Sequence, residues 1–495
     1  MLFNSKIFLF AFLPVTLALF FIIGRTSILF ARLWLIFASL FFYAWWNPPY
    51  VLLLLASATF NYWVGQTLQN DGLKKNGSRK LLLCFGLTFN VILLGYFKYF
   101  SFIIGIVTGL SGHKAADLDI VLPLAISFYT FQKVAYLVDS YLGKINEKSY
   151  LNYILFVSFF PQLIAGPIVH WSEVFPQFRD SRTYRVNGEN VADGMTIFII
   201  GLTKKVVLAD EFARYANAGF NSAADGSVLT LVPAWLAALA YTLQLYFDFS
   251  GYSDMAIGLS RMFNVILPIN FNSPYKATNI IEFWRRWHMT LSRFLRDYVY
   301  IPLGGNRAGL ARRYANLLLT MVIGGLWHGA AWTFVLWGAL HGFYLLANYG
   351  WRSISGGIKG GRVGVACSHA LTLSAVIIAW VLFRSNDAAA ALRIYEGMIG
   401  YNGAVLPEQI LVFAPWLRIG FNGASSVSGL VDSTVMGTVV SFAMLGVGLS
   451  ITLVAPALHQ ISKPVRLALV VISFAFAVQK VIFSADISPF LYFQF

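Results

Sequence analysis

The chain has 495 residues, 58% of them hydrophobic and only 12% charged, about half the charged share of an ordinary soluble domain. That composition excludes a water-soluble globular enzyme, and the 44 Phe, 24 Tyr and 14 Trp suit lipid contact and the aromatic belts of a bilayer. The formal charge of +15 does not mark a nucleic-acid binder, because its Lys and Arg lie in short clusters between apolar runs, as in cytoplasmic loops facing anionic lipid.

In chain order, residues 7–24, 28–46 and 50–64 read as the first three membrane spans, the third slightly short. The first is read as a retained span rather than a cleaved signal, since no small-residue cleavage site follows it and a second apolar run starts almost at once. The loop 66–80 carries Lys74, Lys75, Arg79 and Lys80, whereas the turn Asn47, Pro48, Pro49 is uncharged. The positive-inside rule therefore puts the loop in the cytoplasm, with Arg25 and Arg32, and the N-terminus outside. Further candidate elements are 81–106, 121–142, 195–208, 228–247, 314–327, 330–351, 365–383, 435–454 and 465–483. Residues 159–168, with Pro161 and Pro167 around Gly166, read as a re-entrant segment. The expected fold is all-α and polytopic, with about eleven transmembrane helices plus re-entrant and interfacial helices, in a single transmembrane domain over residues 1–495. Broken helices inside a membrane are tolerated only where protein or a water-filled cavity satisfies the backbone, so they point to a polar interior site.

Residues 280–300 are too charged to span. At about 100° per residue, Glu282, Arg285, Arg286, Arg293, Arg296 and Asp297 share roughly 120° of arc, and Phe283, Trp284, Trp287, Leu291, Phe294, Leu295 and Tyr298 share another. This is the pattern of an interfacial helix, and Asn279 with Glu282 resembles a capping box at its start. His288 falls beside the apolar arc; a backbone hydrogen bond at an interface explains it as well as a function does. His328 is a stronger candidate. If Arg313 marks an interface, helical rise carries His328 about 22 Å into the membrane. An ionisable group at such depth is costly unless paired or facing a cavity, although a neutral His bonded between helices would also satisfy it. Gly324, Gly325 and Gly329 would let another backbone or a ligand approach closely. His341 is expected to pack structurally. A further polar run from Tyr246 to Asp254, at the end of the apolar span 228–247 and so at a membrane edge, holds Asp248, Ser250, Tyr252, Ser253 and Asp254, which could orient a histidine, hold a cation, contact a sugar or cap helix ends. No metal site is expected, because Cys84 and Cys367 form no thiolate pattern and the histidines are scattered.

Four blocks then become recognisable: FFPQLIAGPIVHWSEVFPQF (159–178), LQLYFDFSGYSDMAIGLSRMFN (243–264), LPINFNSPYKATNIIEFWRRWHMTLSRFLRDYVYIPLGGNR (267–307) and GGLWHGAAWTFVLWGALHG (324–342). With them the sequence resembles the membrane-bound O-acyltransferase family, and within it the bacterial alginate O-acetylase branch, over nearly its whole length. The ending SPFLYFQF (488–495) and the stretch after Trp380 also resemble that branch rather than the shorter D-alanyl transfer relatives. His170 stands where related sequences often have Arg, and no function is attached to it. The resemblance implies a ring of helices around a central funnel, with His328 as the catalytic histidine and His288 as its companion. It also implies a cytoplasmic acyl donor, acetyl-CoA, bound as a substrate and not as a tight cofactor, with Arg285 and Arg286 as weak candidates for its phosphates. The partners it implies are a periplasmic acetyltransferase or other polysaccharide-modifying proteins, and the location is the bacterial inner membrane. The expected reaction is acetyl transfer toward an exported polysaccharide such as alginate. Peptidoglycan O-acetylation, D-alanyl or other acyl transfer, a proton-coupled transporter using His328 with Asp248 to Asp254, and a scaffold for exopolysaccharide machinery are the alternatives.

Overall fold

The structure, a computed structural model, describes the chain except for residues 71–76, 113–119, 308, 356–360, 408–410, 412–421, 425–434, 484–487 and 492–495. Lys74 and Lys75 of the predicted cytoplasmic loop, much of the polar stretch before residue 434 and the last four residues therefore lie outside the described residues. Helices dominate, as expected. A short parallel pairing of Val405–Pro407 with Asn422–Ala424 is the one departure from an all-α chain among the described residues.

The helices run α1 (Leu13–Thr26), α2 (Ile28–Ala44), α3 (Pro49–Gln69), α4 (Ser78–Leu94), α5 (Phe100–Ser111), α6 (Ile126–Tyr141), α7 (Tyr150–Ser158), α8 (Phe160–Leu163) and α9 (Trp171–Arg179). They continue as α10 (Gly188–Thr203), α11 (Asp210–Ala224), α12 (Leu231–Met262), α13 (Ile280–Arg286), α14 (Met289–Leu295), α15 (Leu310–His328), α16 (Trp332–Ile354), α17 (Arg362–Arg384) and α18 (Ala388–Met398). Two more, Val435–Val454 and Lys463–Phe483, follow. Among the described residues, four helical stretches are long and apolar enough to cross a membrane: Phe8–Thr26, Pro49–Gln69, Ser78–Ser111 and Arg362–Arg384. A bent pair within Lys463–Phe483 would make a fifth. The protein is a multi-pass membrane protein.

The residues fall into two compact units, one of 1–202, 252–270 and 464–495 and one of 203–251 and 271–463. In the first, Arg32 of α2 donates to the Tyr184 hydroxyl, the Asn152 side chain and the Phe178 carbonyl, so a guanidinium among apolar helices has all its ends engaged. Asn61 and Asn90 exchange side-chain hydrogen bonds at 3.2 and 2.6 Å, which removes the cost of burying two amides between α3 and α4. The expected re-entrant stretch is the single turn α8 flanked by non-helical backbone, with residues 159–169 all buried. Gln162 donates to the Phe156 carbonyl, and the Phe160 N–H bonds the Ser39 hydroxyl. His170 is the residue just before α9, its ring 3.9 Å from the Asp139 carboxylate.

In the second unit the dominant packing is the antiparallel pair α15 and α16. A Cβ on Gly325 would lie 2.2 Å from the Phe334 carbonyl oxygen, and one on Gly338 would lie 2.4 Å from that of Met321. Only glycine permits backbones this close, and the contact fixes where α15 ends.

Candidate functional site

The residues predicted as one interfacial helix from 280 to 300 form two short helices instead. Asn279 caps α13 by accepting from the Glu282 N–H at 3.0 Å, while the Glu282 carboxylate turns back to the N–H and hydroxyl of Thr278 rather than to the cap residue. The helix stops after Arg286, Trp287 is extended, and His288 takes a left-handed conformation at φ 40°, ψ 55° before α14 begins. A non-glycine residue held there costs about 1–3 kcal/mol, so the surrounding packing must impose it. The reversal swings the imidazole into the interior, where His288 has no exposed surface. Phe249 meets the ring edge-on at 4.7 Å, with Trp327 at 6.0 Å and Phe271 at 6.5 Å.

His328 is the last residue of α15 and is 3% exposed, next to the extended Gly329 at which the helix ends. Its ring lies 4.8 Å from Trp327, 5.0 Å from Phe383 and 5.2 Å from Trp337, the last at 90°. The two predicted histidines thus come from separate elements and share one wall, Trp327. His341 is also fully buried, enclosed by Trp337 at 4.8 Å, Trp284 at 5.1 Å and Phe283 at 6.2 Å. Neither of its ring nitrogens has a hydrogen-bond partner among the described residues.

Of the two arginines proposed for donor phosphates, Arg286 is held by Glu282 at 2.8 Å and donates to the Asn272 carbonyl, whereas Arg285 is exposed. Burial works to raise the Glu282 carboxyl, but the hydrogen bonds from Thr278 and from Arg286 outweigh it and hold its pKa below the usual 4.5.

The polar run from Tyr246 to Asp254 does not end a helix: it lies inside the 32-residue α12, with Asp248 in the second unit and Tyr252 to Asp254 in the first. Asp248 pairs with a residue that sequence reading passed over. The Lys205 ammonium sits 2.7 Å from Asp248 and 2.9 Å from Asp210, and the Lys205 and Asp248 side chains are each 2% exposed. Lys205 falls inside the candidate span 195–208, and the lysine pair Lys204–Lys205 interrupting that hydrophobic stretch was the available signal. Among the described residues, no group of three His, Cys, Asp or Glu side chains could hold a metal.

Two enclosed imidazoles thus stand against one aromatic wall, inside the protein rather than on its surface. Residues 143–358 match the model of the membrane-bound O-acyltransferase family. Over 82% of its length the chain is 46% identical to a peptidoglycan O-acetyltransferase of Helicobacter pylori, covering 81% of that protein. It is 41% identical to a probable alginate O-acetylase AlgI of Pseudomonas aeruginosa, over 85% of this chain and 79% of that one. A probable AlgI of Pseudomonas putida is 37% identical over the full length of both. The chain belongs to the membrane-bound O-acyltransferase family and is an O-acyltransferase.

Proposed function

We propose that this chain moves acetyl groups from cytoplasmic acetyl-CoA toward an exported polysaccharide across the bacterial inner membrane, with His328 as general base. The observation that carries the reading is the pairing of His328 and His288 on the Trp327 wall, away from water. In the reaction an acceptor hydroxyl attacks the thioester carbonyl. The new C–O bond forms as the imidazole of His328 takes the hydroxyl proton, then the C–S bond breaks and that proton passes to the leaving thiolate. His288 orients the acceptor or donates to the oxyanion, and exclusion of water protects the thioester from hydrolysis. Exposed Arg285 is the better placed of the two arginines to meet donor phosphates. The two compact units act as one domain in this reading, about eleven helices cross the membrane, and the acetyl group is handed to a periplasmic partner.

Alginate is the acceptor named for several relatives, and the 46% identity to a peptidoglycan O-acetyltransferase favours peptidoglycan as a second reading. The test replaces His328 with Ala, confirms membrane abundance, and measures alkali-released acetate on both the secreted polysaccharide and the cell wall. Loss of about a hundredfold or more is expected in the polymer that is the acceptor. Unchanged acetate in both, with the protein present, overturns the assignment and leaves a proton-coupled transporter or a scaffold.

A further inference from the structure

One turn of α12 is gripped from two sides. Tyr246 and Phe249, three residues apart and so on one face of the helix, point toward the segment that carries His288. Tyr246 lies 5.3 Å from Tyr275 and 6.5 Å from Trp287, while Phe249 lies 4.9 Å from Phe271 and 4.7 Å from His288. The two residues between them face the other way. Phe247 stacks on Phe212 at 6.0 Å, and Asp248 takes the Lys205 ammonium at 2.7 Å.

Lys205 itself stands in a π-helical turn, Lys204–Ala209, between α10 and α11. Such wide turns occur mostly as single-turn bulges within helices, frequently at functional sites. Here the turn lets one ammonium reach Asp248 on a distant helix and Asp210 on its own. In a low-dielectric interior a charge-assisted bond of this kind resists rotation of α12 far more than apolar contact does. Rotation of α12 is what moves the Phe249 ring against an imidazole already held in a strained backbone conformation.

We propose that the Lys205–Asp248 pair is a positioning device for His288, acting through Phe249. It rests on the acyl-transfer reading above. Neither charge touches the reacting atoms; their part is to fix the angle from which Phe249 closes one side of His288.

The test uses full-length protein in lipid nanodiscs, with acetyl-CoA as donor, a mannuronate oligomer or a chito-oligosaccharide as acceptor, and free-thiol release as the signal. Asp248→Asn keeps the shape and leaves Lys205 with Asp210; Phe249→Leu keeps all three charges. Each is expected to lower kcat by about ten- to a hundredfold, as small misplacements do, with KM for acetyl-CoA and the unfolding temperature close to wild type. The double variant is expected to be no slower than Phe249→Leu alone, because both changes break the same link. Additive losses, or an unchanged kcat in Asp248→Asn, overturn the proposal. Should Asp248→Asn lower the amount of folded protein, Phe249→Leu decides: wild-type kcat there also overturns it. If wild type releases no acceptor-dependent thiol, the acyl-transfer reading fails instead. If wild type is active, His288→Ala inactive and the Phe249 and Asp248 variants normal, only the positioning role fails.

Discussion

Two lysines are buried among the described residues, one in each compact unit, and they are accommodated differently. Lys205 in the second unit is bracketed by Asp248 and Asp210. Lys133 in the first unit, with no exposed surface at all, donates to the Ser57 hydroxyl and lies 4.0 Å from the centroid of the Tyr129 ring. No carboxylate pairs with Lys133 among the described residues. An ammonium can therefore be held inside an apolar bundle by opposite charge or by the face of an aromatic ring plus one hydroxyl. The two solutions differ in what is left behind when the cation is removed.

That difference is sharpest at Lys205. Lys205→Met leaves Asp248 buried without its cation and facing a second carboxylate. We expect a loss of about 3–5 kcal/mol, typical of a buried charge left with no partner, seen as a large drop in unfolding temperature and in membrane abundance; Asp248→Asn differs because Lys205 keeps Asp210 at 2.9 Å. Replacing both partners, as Lys205→Met with Asp248→Leu, should restore much of that loss, since no uncompensated charge remains beside Asp210, which is 27% exposed and can be solvated. A double variant as unstable as Lys205→Met would mean that the pair's geometry, and not the stranded charge, sets the cost.

Lys133→Met should behave otherwise. The variant loses a cation–π contact and one hydrogen bond, together about 1–3 kcal/mol, and escapes a desolvation cost of similar size. The expected net change is within about 1 kcal/mol of wild type in either direction. A loss as large as that of Lys205→Met would break the comparison and show that the ring and the hydroxyl solvate an ammonium as well as two carboxylates do.

The contrast also shows what was legible in the sequence. His328 was readable as an enclosed position because it closes an apolar run behind an arginine pair; α15 ends on it, 3% exposed, and begins at Leu310, four residues before that run. The wheel for 280–300 placed most of the apolar arc: Phe283, Trp287, Leu291, Phe294 and Leu295 are buried and Arg285 is exposed, while Trp284 and Tyr298 are half-buried. It could not show the reversal at Trp287–His288, because periodicity carries over two short helices joined by two residues and no glycine marks the left-handed position. The extent of α12 was missed for a different reason. Polar residues after Phe247 were read as a membrane edge, but Asp248 finds its cation on Lys205, 43 residues away in the chain, and the helix continues to Met262. A contact between distant residues leaves no local trace, so a paired charge and an interfacial one look alike in one dimension.

A third ion pair calibrates both lysines from the wet end of the scale. Glu282 and Arg286 stand four residues apart on α13, their side chains 29% and 30% exposed. Solvent screens such a pair, so its worth is within about 1 kcal/mol. Its sign with pH follows from the Glu282 carboxyl, whose pKa in the folded protein lies below the unfolded value near 4.5. The stabilisation is therefore fully present above that pH and is lost as pH falls through the lower folded value. Glu282→Gln keeps an acceptor for the Thr278 N–H and removes only the charge. Unfolding midpoints of wild type and Glu282→Gln should differ by a small constant amount from pH 7 down to about 5, then converge on further acidification. A gap that stays constant to pH 3 would assign the effect to hydrogen-bond geometry alone and remove charge from the account of how α13 is held beside His288.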